Sequence, residues 1–201
     1  MARPAAIRGL SLSGPLSRLA AASLGAAALL LAGYSSGGVR ENGPLGNGGD
    51  PGGLCVPVPV GGVFTYGITT FTNTGSSVAV MDNVALADPD GTRLLAAYIV
   101  PITGNDIYGV RDGFPPDRNL PASVDWARHT QADGTRIPPS PAFFKFENLL
   151  VVIKSLRPIA TATGIDVYYR EAGQRYHFRS PIVFLLTAGT CGPNWNQGLK
   201  T

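Results

Sequence analysis

The chain has 201 residues and a formal charge of +3, but Arg3, Arg8 and Arg18 all precede the first acid, Glu41. The 16 Lys and Arg less those three leave 13, matching 13 Asp and Glu, so the charge excess belongs to the amino-terminal segment and excludes a basic, nucleic-acid-binding domain. Charged residues are 14% of the chain beside 26 Gly and 17 Pro, a composition that argues against a helical protein and for one turn-rich β domain.

Residues 1–35 have the form of an export signal: a basic region ending at Arg18, then an apolar run from Leu19 to Gly33. As a helix that run would span about 22 Å, short of the roughly 30 Å of a bilayer core, so a cleaved signal is expected rather than a spanning anchor. An uncut signal anchor is the alternative, and the membrane is reached only through this segment.

The stretch Leu30-Leu31-Ala32-Gly33-Tyr34-Ser35-Ser36-Gly37-Gly38 resembles a bacterial lipoprotein signal, with Tyr34 where that family carries the lipidated Cys. A phenol cannot replace the thiol through which the lipid is attached. The resemblance therefore implies a lipoprotein-like chain without its anchor, cut after Ser35 or Gly37 and released. Residues 36–54, Gly-rich and nearly devoid of large apolar side chains, read as a flexible tether.

The domain is expected over 55–192, with a tail at 193–201. Cys55 to Gly62 contains Pro57 and Pro59, which lack backbone donors, so it reads as an edge strand or an extended lead-in. Val63 to Asn73, Val78 to Leu86 and Arg93 to Pro101 alternate apolar and polar residues and read as a three-strand meander. Its turns are Thr74-Gly-Ser-Ser77 and Asp88-Pro-Asp-Gly91. The rhythm of Tyr66-Gly-Ile68, Asn73-Thr-Gly75 and Asp88-Pro-Asp-Gly91 is similar to that of bacterial surface adhesion-type repeats over about forty residues.

Ile102 to Pro141 is rich in Gly and Pro and reads as a long loop region, either functional or a lid over the open end of the sandwich. Within it, Ser123 to Gln131 reads as one short helix capped by Ser123 and ended by Gly134. Phe143 to Leu156, with its apolar run Leu149 to Ile153, reads as a central strand ended by Arg157-Pro158. A hairpin follows, Gly164 to Arg170 and Gln174 to Arg179 about Glu171-Ala-Gly173, and Ile182 to Leu186 is a last buried strand. Six to eight strands with turn signals predict an all-β, immunoglobulin-like two-sheet sandwich.

Cys55 and Cys191 flank the domain, and in an exported chain they are expected to pair; two free thiols are the alternative. Closing so long a loop would stabilise the fold by roughly 5 kcal/mol at most.

The chemistry-bearing residues are sparse. No Gly-x-Ser-x-Gly elbow, His-Glu-x-x-His pair, P-loop or dinucleotide fingerprint occurs, so neither a cofactor nor a metal is expected. Asp88 and Asp90 resemble the start of a calcium loop, but no oxygen ligands follow and a hairpin turn accounts for them. His177 is expected on a solvated strand face, opposite Tyr176 and Phe178; His129 reads as a loop histidine. The candidate binding surface is Tyr168, Arg170, Arg175, His177 and Arg179, basic and aromatic groups in cross-strand reach. Trp126 and Trp195 could stack on glycans or simply pack. The chain thus reads as an exported, non-catalytic envelope domain that binds or scaffolds an extracellular protein or glycan. The alternatives are a membrane-anchored accessory subunit and a hydrolase using Asp106, Asp112, Asp117 or Asp125.

Overall fold

The computed structural model describes residues 38–48, 52–104, 106–115, 120–140, 146–193 and 195. The leader with Tyr34, Asp117, Phe143 and most of the tail lie outside them. The described residues form the expected all-β sandwich, with a third, smaller sheet added. Among them no helix is long and apolar enough to cross a membrane.

The first sheet has the order β1-β14-β13-β6-β10: β1 (Arg40–Glu41), β6 (Ala79–Ala87), β10 (Arg136–Ile137), β13 (Gly164–Glu171) and β14 (Gln174–Ser180). The second is built on β11 (Glu147–Ser155). One edge of β11 pairs with β4 (Val63–Gly67) and β5 (Thr70–Asn73), the other with β7 (Thr92–Pro101). Outside these lie β2 (Leu45–Gly48) on β5, β8 (Gly109–Asp112) on β4 and β9 (Thr130–Gln131) on β7. The third sheet runs β12-β15-β3, from β12 (Ile159–Ala162), β15 (Ile182–Thr187) and β3 (Gly52–Pro57).

β11 is the central strand that its apolar run predicts, buried on both faces from Asn148 to Ile153. The hairpin β13/β14 also forms as read, with Glu171 opposite Gln174 and both turn residues at positive φ, Ala172 at 48° and Gly173 at 80°. That is the primed geometry matching the twist of the flanking strands. β3 is an edge strand, and Cys55 is joined to Cys191 with Cα atoms 6.0 Å apart.

The meander does not form. β6 belongs to the first sheet and β7 to the second, so the Asp88–Gly91 turn carries the chain across the sandwich instead of closing a hairpin. Asp88 and Gly91 both take positive φ there, while Asp90 pairs with Thr161 and with Arg157. The physical reason is β11: a strand apolar on both faces needs a partner on each edge, and β7 supplies one. The first predicted strand is likewise broken at Ile68–Thr69 into β4 and β5. The buried Asn148 amide donates to the Thr69 carbonyl at the break.

The expected helix is a single 3-10 turn, Trp126–Arg128. Ser123 does not cap it; its hydroxyl donates to the Asp106 carbonyl, and the predicted helix instead passes into β9. Part of the expected tether is also ordered. Arg40–Glu41 pairs in parallel with β14, and Leu45–Gly48 pairs antiparallel with β5. Leu45 anchors that segment because its side chain is core, 2% exposed, and its amide donates to the Tyr169 hydroxyl.

One large core lies between the sheets, with Phe64, Phe71, Met81, Ile153, Val167, Tyr169 and Phe184 among its members. A second, small cluster of Val100, Tyr108, Val124 and Leu150 sits on the outer face of the second sheet. Outside β8, what is described of residues 102–128 is therefore a cover for a sheet face, rather than a lid on the sandwich's end. It leaves no room for a side chain at Gly67, where a Cβ would stand 2.8 Å from Tyr108 Cβ.

Candidate functional site

Alternation along β13 and β14 places Asp166, Tyr168, Arg170, Arg175, His177 and Arg179 together on the outer face of the first sheet. The hairpin register sets Tyr168 opposite His177, Asp166 opposite Arg179 and Arg170 opposite Arg175. The structure divides these predicted site residues into two groups with different duties.

The first group is an internally satisfied network. Asp166, mostly buried, accepts from Arg179 Nε at 2.8 Å and Nη2 at 3.1 Å, and from His177 Nε2 at 2.9 Å. The other ring nitrogen of His177 contacts Glu41 Oε2 at 2.8 Å. Tyr168 stacks on the imidazole with centroids 4.6 Å apart, and Arg179 also reaches Asp88 at 3.7 Å. With a carboxylate at each nitrogen, only the imidazolium can donate to both. Burial opposes its charge, but the bonds to Asp166 and Glu41 outweigh it and raise the His177 pKa. Burial likewise opposes the Asp166 charge, and the bonds from Arg179 and His177 hold its carboxyl below the ordinary value.

His177 is thus not the solvated strand residue its neighbours Arg175 and Arg179 suggest: its side chain is 13% exposed. The signal that was missing is Glu41, which lies 136 residues away in a segment read as tether.

The second group lines a hollow of about 260 Å³, walled by Asp82, Tyr168, Arg170, Arg175, Tyr176 and Val39, which precedes β1. Arg170 is 3.5 Å from Asp82 and 58% exposed, whereas Arg175 has no ion pair among the described residues. Like charges placed directly opposite across two strands are destabilising. Tyr168 keeps part of its ring open to solvent beside them, 36% exposed. Two guanidiniums and an accessible aromatic side chain around a shallow hollow can hold a carboxylate or phosphate while an apolar ring lies against the tyrosine.

Trp126 is not part of this surface. It lies on the covering loop of the other sheet, stacked on His129 at 4.1 Å and edge-on to Tyr98 and Phe114. Trp195 lies over β3, where a Cβ on Gly53 would meet its ring. Of the carboxylates considered for hydrolysis, Asp106 lies near Ser123, Asp125 pairs with Arg128, and Asp112 sits on β8 opposite Phe64. Glu171, at the hairpin turn, points inward away from the basic face, accepts from the Ser77 amide and is 7% exposed.

A larger hollow of about 570 Å³ lies near β9 and β10, lined by Ile99, Arg128, Asp133, Arg136 and Glu147 among others. Its charges are of both signs, which gives it no preference for an anion or a cation. Among the described residues no group of three metal-ligating side chains occurs.

No family model and no curated protein matches the chain. Two solved structures are similar to it at a TM-score of 0.32. One is the VesB protease of Vibrio cholerae, at 12% identity over 72% of this chain and 32% of that chain. The other is the ASH/PapD-like domain 7 of human CEP192, at 9% identity over 74% of this chain and 87% of that one. The chain spans about a third of the protease's length, and at that TM-score neither likeness bears on function.

Proposed function

We propose that the chain is an exported, non-catalytic binding domain of the bacterial cell envelope, and that the outer face of its first sheet takes an acidic glycan. Export is supported by the leader's form and by the Cys55–Cys191 disulfide, a bond that persists in oxidising compartments. The single observation that carries the binding reading is the opposed pair Arg170 and Arg175, which flanks the partly open Tyr168 in one hollow. An arrangement that costs stability and leaves one guanidinium without an ion pair among the described residues is what an anionic ligand would complete. The aromatic ring beside it favours a sugar over a bare anion.

Two measurements test the reading. Intact mass spectrometry of protein from the host's culture medium should give a start at residue 36 or 38 and a mass two daltons below the reduced form. A full-length reduced chain in the membrane fraction would overturn export and cleavage. Titration with a hexagalacturonate should show binding that Arg175→Ala weakens about tenfold or more. Arg157→Ala, in an exposed pair on Asp90, should leave it unchanged. Equal binding by wild type and Arg175→Ala would sink the assignment.

A further inference from the structure

The wall of the hollow contributed by Val39 belongs to a short strap, residues 38–43, whose attachment is narrow. Downstream the chain is pinned: Leu45 is core, and the Pro44 carbonyl accepts from both the Thr74 amide and hydroxyl. Upstream of that anchor the strap meets β14 over only two paired residues, Arg40 and Glu41. The Asn42 amide adds a bond to the His177 carbonyl, and the Gln174 side chain adds one to the Gly38 carbonyl. The Glu41 carboxylate on His177 is the sole charged contact among these.

The groups facing His177 come from every element packed on it. Glu41 lies on β1, and Asp166 and the stacked Tyr168 lie on β13. Arg175 and Arg179 flank it on β14, and Asp88 reaches Arg179 from the β6–β7 turn. Asp166 keeps Arg179 when the imidazole loses its proton, whereas Glu41, itself 67% exposed, has no second cation among the described residues. A neutral imidazole has one N–H for two carboxylates, so one of them then faces a lone pair. The less supported of the two is Glu41.

We propose that His177 is a proton-operated latch on the 38–43 strap, so that the hollow is complete in mildly acidic medium and loses its Val39 wall as the medium becomes alkaline. This rests on the reading of the hollow as the binding site; the latch itself does not. The direction follows from the geometry: the protonated ring holds both carboxylates, and deprotonation frees the strap end.

The test is hydrogen exchange at the Asn42 amide across about pH 5 to about pH 9, corrected for intrinsic rates, on the protein as recovered from its host. Protection of Asn42 should fall about tenfold or more over that range, in step with the His177 ring signal. In Glu41→Gln, a surface change that leaves the core intact, Asn42 should exchange fast at every pH. Asn42 protection that is flat in the wild type, or a Glu41→Gln profile matching the wild type, would overturn the latch. Hexagalacturonate titrations at the same pH values separate the two claims. Affinity falling with Asn42 protection supports both, and a correct exchange profile with no binding at any pH leaves the latch standing while removing the ligand.

Discussion

The two outer faces of the sandwich differ: one is covered by packing, and the other is flanked by a short strap only along its β14 edge. On the second sheet, β7 and β11 turn Val100 and Leu150 outward, and Gly67 on β4 leaves room beside Leu150 that Tyr108 occupies. Apolar surface of that kind cannot stay in water, so the 102–128 loop lies over it with Tyr108, Val124 and Trp126. On the first sheet the outward residues are Asp166, Tyr168, Arg170, Arg175, His177 and Arg179, which tolerate water, and the six-residue strap lies along the sheet's β14 edge, joined by a two-residue ladder, the Asn42 amide, the Gln174 side chain and the Glu41–His177 contact. The contrast teaches where recognition is available. A face sealed by packing is structural, whereas one left to water beside a narrowly attached edge strap is available to a ligand.

The largest expected effect sharpens that contrast. Leu150→Ala removes a fully buried side chain under the loop and should cost about 3 kcal/mol, within the usual 2 to 5 for such truncations, read as a lowered denaturant midpoint. Gly43→Ala probes the strap in the same way, since a methyl there overlaps the Tyr169 hydroxyl and the Tyr176 ring. It should cost about 1 to 3 kcal/mol and speed proteolysis near residue 40, while leaving exchange under the 102–128 loop unchanged.

pH separates the faces next. His177, raised above 6.5, contributes its stability in full below that value and loses it as pH rises through the folded value. Asp166, lowered below 3.8, contributes in full above that value and loses it as pH falls through the folded one. Thermal melts should therefore show highest stability between 3.8 and 6.5, with Glu41→Gln flattening the alkaline limb and Asp166→Asn the acid limb. A melt profile unaffected by both variants would break the distinction between the two faces.

Smallest of all, Arg175→Ala should change stability by no more than about 0.5 kcal/mol, with a slight gain because it relieves the opposition to Arg170. Together with the loss of hexagalacturonate binding, that combination would mark a residue kept for recognition. A marked loss of stability would return Arg175 to a structural role.

What the sequence by itself determined is what alternation and turn chemistry encode locally. The continuous apolar run Leu149 to Ile153 announces a central strand, Glu171-Ala-Gly173 announces a hairpin, and two distant cysteines announce a bridge. The basic and aromatic face of β13 and β14 was legible for the same reason, because a period of two assigns each side chain to a face. Alternation does not say which strand lies alongside. So β6 and β7 could be read as neighbours although the sandwich separates them, and the one long first strand gave no sign of its break at Ile68. Composition alone made Val39 to Leu45 a tether; its order comes from partners far along the chain, His177 for Glu41 and Tyr169 for Leu45. Only the tertiary structure could set a carboxylate against each ring nitrogen of His177 and so raise its pKa, since an imidazole's affinity for a proton is set by what surrounds it in space.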